Sequence, residues 1–193
     1  MSWEIYFEKN KERSLRPLYS KAISLFNSKS QVAMDLGCGV GTEVADLLQR
    51  GFTVHALDQE SRAIELVKAK ASNFADRLHT YVTPFELMRD WPSVDFLYSF
   101  HALPFCNRSY FDEVVNRSIR SVSPDGLYVA SFFGLEDEWV VADKVVGISD
   151  VEVRSRLHGF DVLHFVEDKK VGKTVMNGEK MWHVVEVIAK RLK

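Results

Sequence analysis

Apolar residues recur along this chain at two spacings. Short runs rich in apolar residues lie at Val32 to Met34, Phe52 to Leu57, Leu78 to Thr83, Asp95 to Phe100 and Leu127 to Phe133, and runs of this length read as buried strands. Between them the spacing becomes helical. Val44, Ala45, Leu47 and Leu48 share one side of a helix, as do Ala63, Ile64, Val67 and Ala71 within Glu60 to Ala71, and Phe111, Val114, Val115, Ile119 and Val122 within Tyr110 to Val122. Strands that alternate with helices predict a parallel sheet. Gly51 is placed to cap the first of these helices, and Ser123-Pro124-Asp125-Gly126 to turn the chain before the fifth strand.

The two ends of the chain read differently. Leu15, Leu18, Tyr19, Ala22, Ile23 and Phe26 predict a helix with Pro17 tolerated in its first turn, preceded by a short lead-in that holds Trp3, Tyr6 and Phe7. Residues 134–146 are irregular. Ser149 and Asp150 look like an N-cap before a helix over Val151 to Leu157. Gly159 to Val166 and Met181 to Ala189 then read as two strands, with Asn177-Gly178 favouring a tight hairpin turn between them. A closing hairpin makes the last strand antiparallel. Trp182 and His183 alternate, so only one of them can face a given pocket.

At 193 residues a single domain spanning 1–193 is expected, with residues 1–28 as an N-terminal helical or lid segment. Twenty-five basic and 27 acidic side chains nearly balance, which gives no footprint for nucleic acid. Cys38 and Cys106 stand in unrelated contexts, and no His/Cys cluster points to a metal. The charged N-terminus lacks the apolar stretch of a signal peptide, and no apolar run is long enough to cross a bilayer, so a cytoplasmic protein without membrane contact is expected. No oligomeric state is implied.

The chemistry is concentrated where the first strand ends. Asp35 closes that strand, and Gly37, Gly39 and Gly41 follow at alternate positions before the helix begins. Such glycines let the backbone approach a ligand and take positive φ angles. A dinucleotide site needs a third glycine at 42, where Thr42 stands, and Asp35 would oppose a pyrophosphate. A carboxylate there suits a cation, such as the amino group of a methionine-like moiety. S-adenosylmethionine (SAM) fits; a ligand-free glycine turn is the plain alternative. Asp58, with Gln59 beside it, ends the second strand about 20 positions later, where a carboxylate can accept both ribose hydroxyls.

Asp35-Leu36-Gly37-Cys38-Gly39-Val40-Gly41 resembles motif I of the class I SAM-dependent methyltransferases. The resemblance implies a Rossmann-like α/β fold: a seven-stranded, mostly parallel sheet with an antiparallel last strand and helices on both faces. It implies a loop wrapped around the methionyl group, with Asp35 toward its amino group and Asp58 on the ribose. The loop after strand three flanks the adenine in that family. Thr83 and Pro84 occupy its usual polar positions, leaving Phe85 to stack or Glu86 to hydrogen-bond, while Pro84 also suits the first turn of a helix. Phe100 and His101 follow strand four, which faces the methyl donor. Leu103-Pro104-Phe105-Cys106, Phe133-Gly134 with Asp137 and Trp139, and Trp182-His183 resemble small bacterial enzymes of the tellurite-resistance and thiopurine methyltransferase type.

The expected activity is methyl transfer from SAM to a small acceptor such as a thiol or chalcogen oxyanion, by in-line displacement. Tyr6, Arg13, Arg16, Trp139 and His183 are candidates for the acceptor side, Tyr6 with Phe7 either as a lid or as core. A soft anion needs no general base. A neutral acceptor would, and His101 or His183 could supply it. A SAM-binding protein without catalysis and a nicotinamide-dependent oxidoreductase stay open as alternatives.

Overall fold

The computed structural model describes residues 3–27, 31–175 and 178–193. The helices are α1 (Trp3–Asn10), α2 (Pro17–Leu25), α3 (Thr42–Gln49), α4 (Ser61–Lys70), α5 (Phe111–Ser121), α6 (Glu138–Val141) and α7 (Asp150–Arg156). The strands are β1 (Val32–Leu36), β2 (Thr53–Asp58), β3 (Leu78–Val82), β4 (Val94–Ser99), β5 (Val122–Phe133), β6 (Phe160–Lys173) and β7 (Glu179–Arg191). They form one seven-stranded sheet in the order β3-β2-β1-β4-β5-β7-β6. The first five strands are parallel, and β7 enters antiparallel between β5 and β6. The parallel strands follow from the alternating pattern, and the whole is the Rossmann-like sheet that the family resemblance implies.

Each face carries its own core. Buried residues of α2, α3 and α4, among them Leu18, Tyr19, Val44, Leu47, Ile64 and Val67, pack with Ala33, Val54 and Phe96 on one side. Phe111, Val114, Val115 and Ile119 of α5, with Val153 of α7 and Leu157 just beyond it, pack with Met34, Leu36 and Leu97 on the other. Strand β4 is buried throughout because both faces are covered.

Several boundaries differ from the sequence pattern. The lead-in at Trp3 is a helix, because Phe7 and Asn10 bury while the charged positions between stay outside. Residues 123–126 turn as expected, but as a bulge inside one continuous β5. The register steps from Val94 opposite Val122 to Phe96 opposite Leu127, with Asp125 at φ 65°. Pro84 precedes a 3₁₀ turn over Phe85–Leu87 rather than occupying its first residue. Ser149 caps α7 in a reciprocal capping box with Glu152. Strands β6 and β7 extend well past the predicted ends, each side chain beyond finding a cross-strand partner in the register. The hairpin turn expected at Asn177-Gly178 lies partly outside the described residues.

Candidate functional site

The carboxyl ends of β1, β2, β4 and β5 open into one cavity of about 280 Å³, where ligands bind in open α/β sheets. Its base is the glycine loop. The N–H groups of Gly37 and Cys38 donate to the Leu57 carbonyl at 2.8 and 3.1 Å, which lashes the loop to the end of β2. Gly39 (φ 52°) presents its bare Cα side to the cavity, where Tyr6 at 3.9 Å is the nearest neighbour a Cβ would meet. Gly37 serves packing as well, since a Cβ there would lie 2.2 Å from that of Ala102.

Asp35, Asp58, Gln59, Phe85 and Glu86 all line the cavity, as do Cys38 and Phe100. Asp35 is 2% exposed, and burial, reinforced by Glu43 and Asp58, raises its pKa well above the carboxylate range. Burial also raises that of Asp58, against the N–H groups of Glu60 and Gly39, which donate to Oδ1 and Oδ2 at 3.0 Å each. A cradle of crowded, desolvated carboxyls fits a cationic ligand. Glu86 Oε2 and the Tyr98 hydroxyl are buried there without hydrogen-bond partners. The Cys106 thiol, pushed up to about 12 by burial, stays protonated and donates to the Asn107 carbonyl.

Gly41 and Thr42 stand outside the lining. Gly41 is glycine for another reason: at φ 72°, a Cβ would meet Val67 Cγ2 at 2.7 Å, so the residue lets α3 and α4 close together. Thr42 is turned to Lys70, whose Nζ is 3.4 Å from its Oγ1.

The second half of the cavity is aromatic. Phe105, Phe133, Trp139 and Trp182 meet edge-on or tilted, with ring centroids 5.5–6.2 Å apart, the geometry aromatic pairs prefer. Trp3 of α1 reaches Phe105 at 5.3 Å, so the N-terminal helix roofs this end. The tip of the β6–β7 hairpin joins the roof through Val175, whose carbonyl accepts from Lys9 Nζ at 2.9 Å.

His101 sits between the halves. Its φ of 53° is left-handed, and its N–H donates to Ser131 Oγ at 2.8 Å. The imidazole stacks on Phe100 and Trp182, and its Nε2 is buried without a partner. Burial, helped by Arg16 and Lys180, lowers its pKa to about 3. The ring is therefore neutral and a weak base, which counts against the general-base role that a neutral acceptor would ask of it.

Arg13 and Arg16 divide the cationic duty expected of them. Arg13 is spent on Glu43 through both guanidinium nitrogens, one bond measuring 2.7 Å. Arg16 lies over the Phe100 ring at 4.4 Å, and its Nη2 donates to the Tyr6 hydroxyl at 2.9 Å.

His183 is not on the cavity. The alternation along β7 turns Trp182 inward and His183 away, the reverse of the assignment that favoured His183. The His183 ring packs on Gly134, where a Cβ would lie 2.3 Å from it. Its Nδ1 accepts from the Glu136 N–H, so Nε2 carries the proton and donates to Glu167 at 2.6 Å. The histidine thus braces the loop that carries Trp139. Beside it, buried Lys180 pairs with buried Asp137, and its ammonium lies 4.0–4.9 Å from the rings of Trp182, Trp139 and Phe133. Glu43, Tyr98, Lys180 and Trp182 escaped the sequence reading. For Trp182, parity along β7 was the available signal, and it left the choice of face open.

Among the described residues, no group of three or more His, Cys, Asp or Glu could hold a metal, and no helix is long and apolar enough to cross a membrane. Residues 33–126 match the family model described as "Methyltransferase domain". No curated protein matches the sequence. Solved structures share the fold at low identity. TehB from Haemophilus influenzae superposes with a TM-score of 0.78 at 15% identity, over 100% of this chain and 68% of that one. The N-methyltransferase NodS from Bradyrhizobium japonicum WM9, in complex with S-adenosyl-L-homocysteine, gives 0.72 at 10%, over 100% of both chains. The 1,6-didemethyltoxoflavin-N1-methyltransferase of Burkholderia thailandensis, bound to 1,6-didemethyltoxoflavin and S-adenosylhomocysteine, gives 0.65 at 17%, over 92% of this chain and 78% of that one.

Proposed function

We infer that this chain, whose residues 33–126 match the methyltransferase-domain family model, moves a methyl group from SAM onto a small-molecule acceptor by in-line displacement. It is a SAM-dependent methyltransferase on a Rossmann-like sheet. The observation that carries the reading is the two-part cavity: an acidic cradle at the glycine loop, continuous with an aromatic compartment at the ends of β4 and β5.

SAM supplies a methyl group already activated on a sulfonium. The chain's own task is placement and exclusion of water. Asp35 faces the amino group, Asp58 with Gln59 the ribose, and Phe85 with Glu86 the adenine. Glu86 Oε2, buried without a partner, is an acceptor suited to an exocyclic amine. The α1 roof and the aromatic walls hold the acceptor in line and keep the compartment dry. Positioning of this kind can lower a barrier by about 7–11 kcal/mol.

The acceptor class we favour is a soft anion, a thiolate or chalcogen oxyanion, as in enzymes of the tellurite-resistance and thiopurine type. A neutral His101 is a poor proton acceptor, but with Nε2 unpartnered it can hydrogen-bond an acceptor atom. Calorimetry with SAM, S-adenosylhomocysteine and NAD tests the cofactor. Binding of NAD with no response to the other two would overturn the reading. A turnover screen over thiols, oxyanions and small amines tests catalysis. Tight SAM binding with no turnover anywhere in the screen would favour a cofactor-binding module instead.

A further inference from the structure

Rings around a pocket ordinarily invite a cation. The faces of Trp, Tyr and Phe attract an ammonium group within about 6 Å of the ring centre, and one half of the cavity is walled by Phe105, Phe133, Trp139 and Trp182. On that ground alone a protonated amine would be the natural guest.

Three of those rings are already engaged. The Lys180 ammonium lies 4.0 Å from the Trp182 ring centre, 4.2 Å from that of Trp139 and 4.9 Å from that of Phe133. Lys180 is 3% exposed and is not part of the cavity lining, so it meets the rings from the protein side. A cation on one face of a ring polarises it and repels a second cation at the other face. The counter-charge is held elsewhere. Asp137 is fully buried, and its two oxygens accept the N–H groups of Trp139 and His183 at 3.0 and 3.1 Å as well as the ammonium. The carboxyls that line the cavity, Asp35, Glu43, Asp58 and Glu86, come from β1, α3, β2 and the turn after β3. None comes from an element that carries the aromatic wall. The charges that weigh on the buried His101 imidazole are accordingly two cations, Arg16 and Lys180.

We propose that Lys180 is the charge filter of the aromatic compartment: by engaging Trp139, Trp182 and Phe133 from behind, it restricts the methyl acceptor to neutral or anionic groups and excludes protonated amines. The inference rests on the reading of this compartment as the acceptor side of a SAM-dependent methyltransferase. Lys180 touches no substrate and acts through the rings, as a specificity residue.

The test uses protein saturated with S-adenosylhomocysteine and two probes of one shape: aniline, uncharged at neutral pH, and 4-aminopyridine, which is protonated there and differs by one ring atom. Affinities are read by NMR from the tryptophan indole N–H signals. The wild-type protein should bind aniline at least tenfold more tightly. Lys180→Met leaves the Asp137 charge behind and should shift that ratio toward 4-aminopyridine at least tenfold. Lys180→Met combined with Asp137→Asn removes both charges at nearly constant shape and should shift it at least threefold, which keeps the test readable if the single variant fails to fold. A general loosening of the wall would weaken both probes together and leave the ratio in place. A wild-type ratio below tenfold, or a smaller shift in either folded variant, overturns the proposal. Wild-type protein that binds neither probe would overturn the acceptor compartment and the filter with it, whereas failure to bind S-adenosylhomocysteine would sink the SAM reading itself.

Discussion

Acidification should unfold this protein partly through one histidine. In an unfolded chain the His101 imidazole titrates near 6.5. In the fold, burial first and then Arg16 and Lys180 hold it at about 3. Between those values the unfolded chain binds a proton that the fold refuses, so stability is full above 6.5 and drains as pH falls toward 3. The limiting slope is about 1.4 kcal/mol per pH unit, and the whole displacement is worth about 5 kcal/mol. That is comparable with the total stability of many domains, about 5–15 kcal/mol. His101→Asn is the suitable comparison, because asparagine tolerates the left-handed backbone at φ 53° that most residues resist. Urea unfolding of both proteins between pH 7.5 and 4.5 isolates the effect. His55, held at about 4 by burial and by His79, contributes to both and cancels. Below pH 6 the wild type should lose about 1.4 kcal/mol more per pH unit than the variant. Parallel stability curves would refute the reasoning. The same displacement removes any acid limb near 6.5 from the methyl-transfer rate. Such a limb, present in wild type and absent from His101→Asn, would make the imidazole a general base after all.

Asp58→Asn loses the charge and leaves one acceptor oxygen for the two N–H groups of Gly39 and Glu60; in a folded variant S-adenosylhomocysteine affinity should fall at least tenfold by calorimetry, from a charge-assisted bond worth about 1.5–3 kcal/mol, and an unchanged affinity would place the ribose elsewhere. Gly39→Val puts a branched side chain at φ 52° on the cavity side, and a folded variant should show no cofactor binding in the same assay. Asp137→Ala strands the Lys180 ammonium, buried at 3% exposure, and should cost about 3–5 kcal/mol in chemical denaturation; a loss below 1 kcal/mol would mean that the lysine escapes to solvent. Gly134→Ala drives a methyl into the His183 ring, so its melting temperature should drop, whereas His183→Ala in the same chain should restore part of it.

The sheet and the glycine-loop half of the cavity were legible because their signals are local. Val32 to Met34, Asp35, the glycines and Asp58 lie within a single strand–loop–helix–strand unit, and hydrogen-bonded neighbours along it keep sequence order. Gly41 misled because a glycine that admits a ligand and one that admits a helix look alike in sequence; Val67 decides, and it lies 26 residues away. The aromatic half is assembled from α1, the ends of β4 and β5, and β7, so its membership depends on tertiary register. Trp182 and His183 show the difficulty: alternation says that they part, and only the packing of His183 on Gly134 says which way. Tyr98 was hidden within an apolar strand, and nothing in the sequence around Lys180 signals that Asp137 and three aromatic rings enclose it.

The roof joins two stretches 166 residues apart through the Lys9 to Val175 bond, and this ties occupancy to the outermost parts of the chain. Helix α1 buries only Phe7 and Asn10, so it belongs to the elements that open at low free-energy cost. A ligand that needs the roof in place pulls that opening equilibrium toward the docked form by mass action, by about 2.7 kcal/mol at a hundredfold excess over its Kd. Amides of α1 should then exchange with deuterium markedly more slowly when the cavity is filled, including those of Glu4, Ile5, Glu8 and Lys9, which lie outside its lining. Helix α1 becomes a built-in gauge of whether the site is loaded.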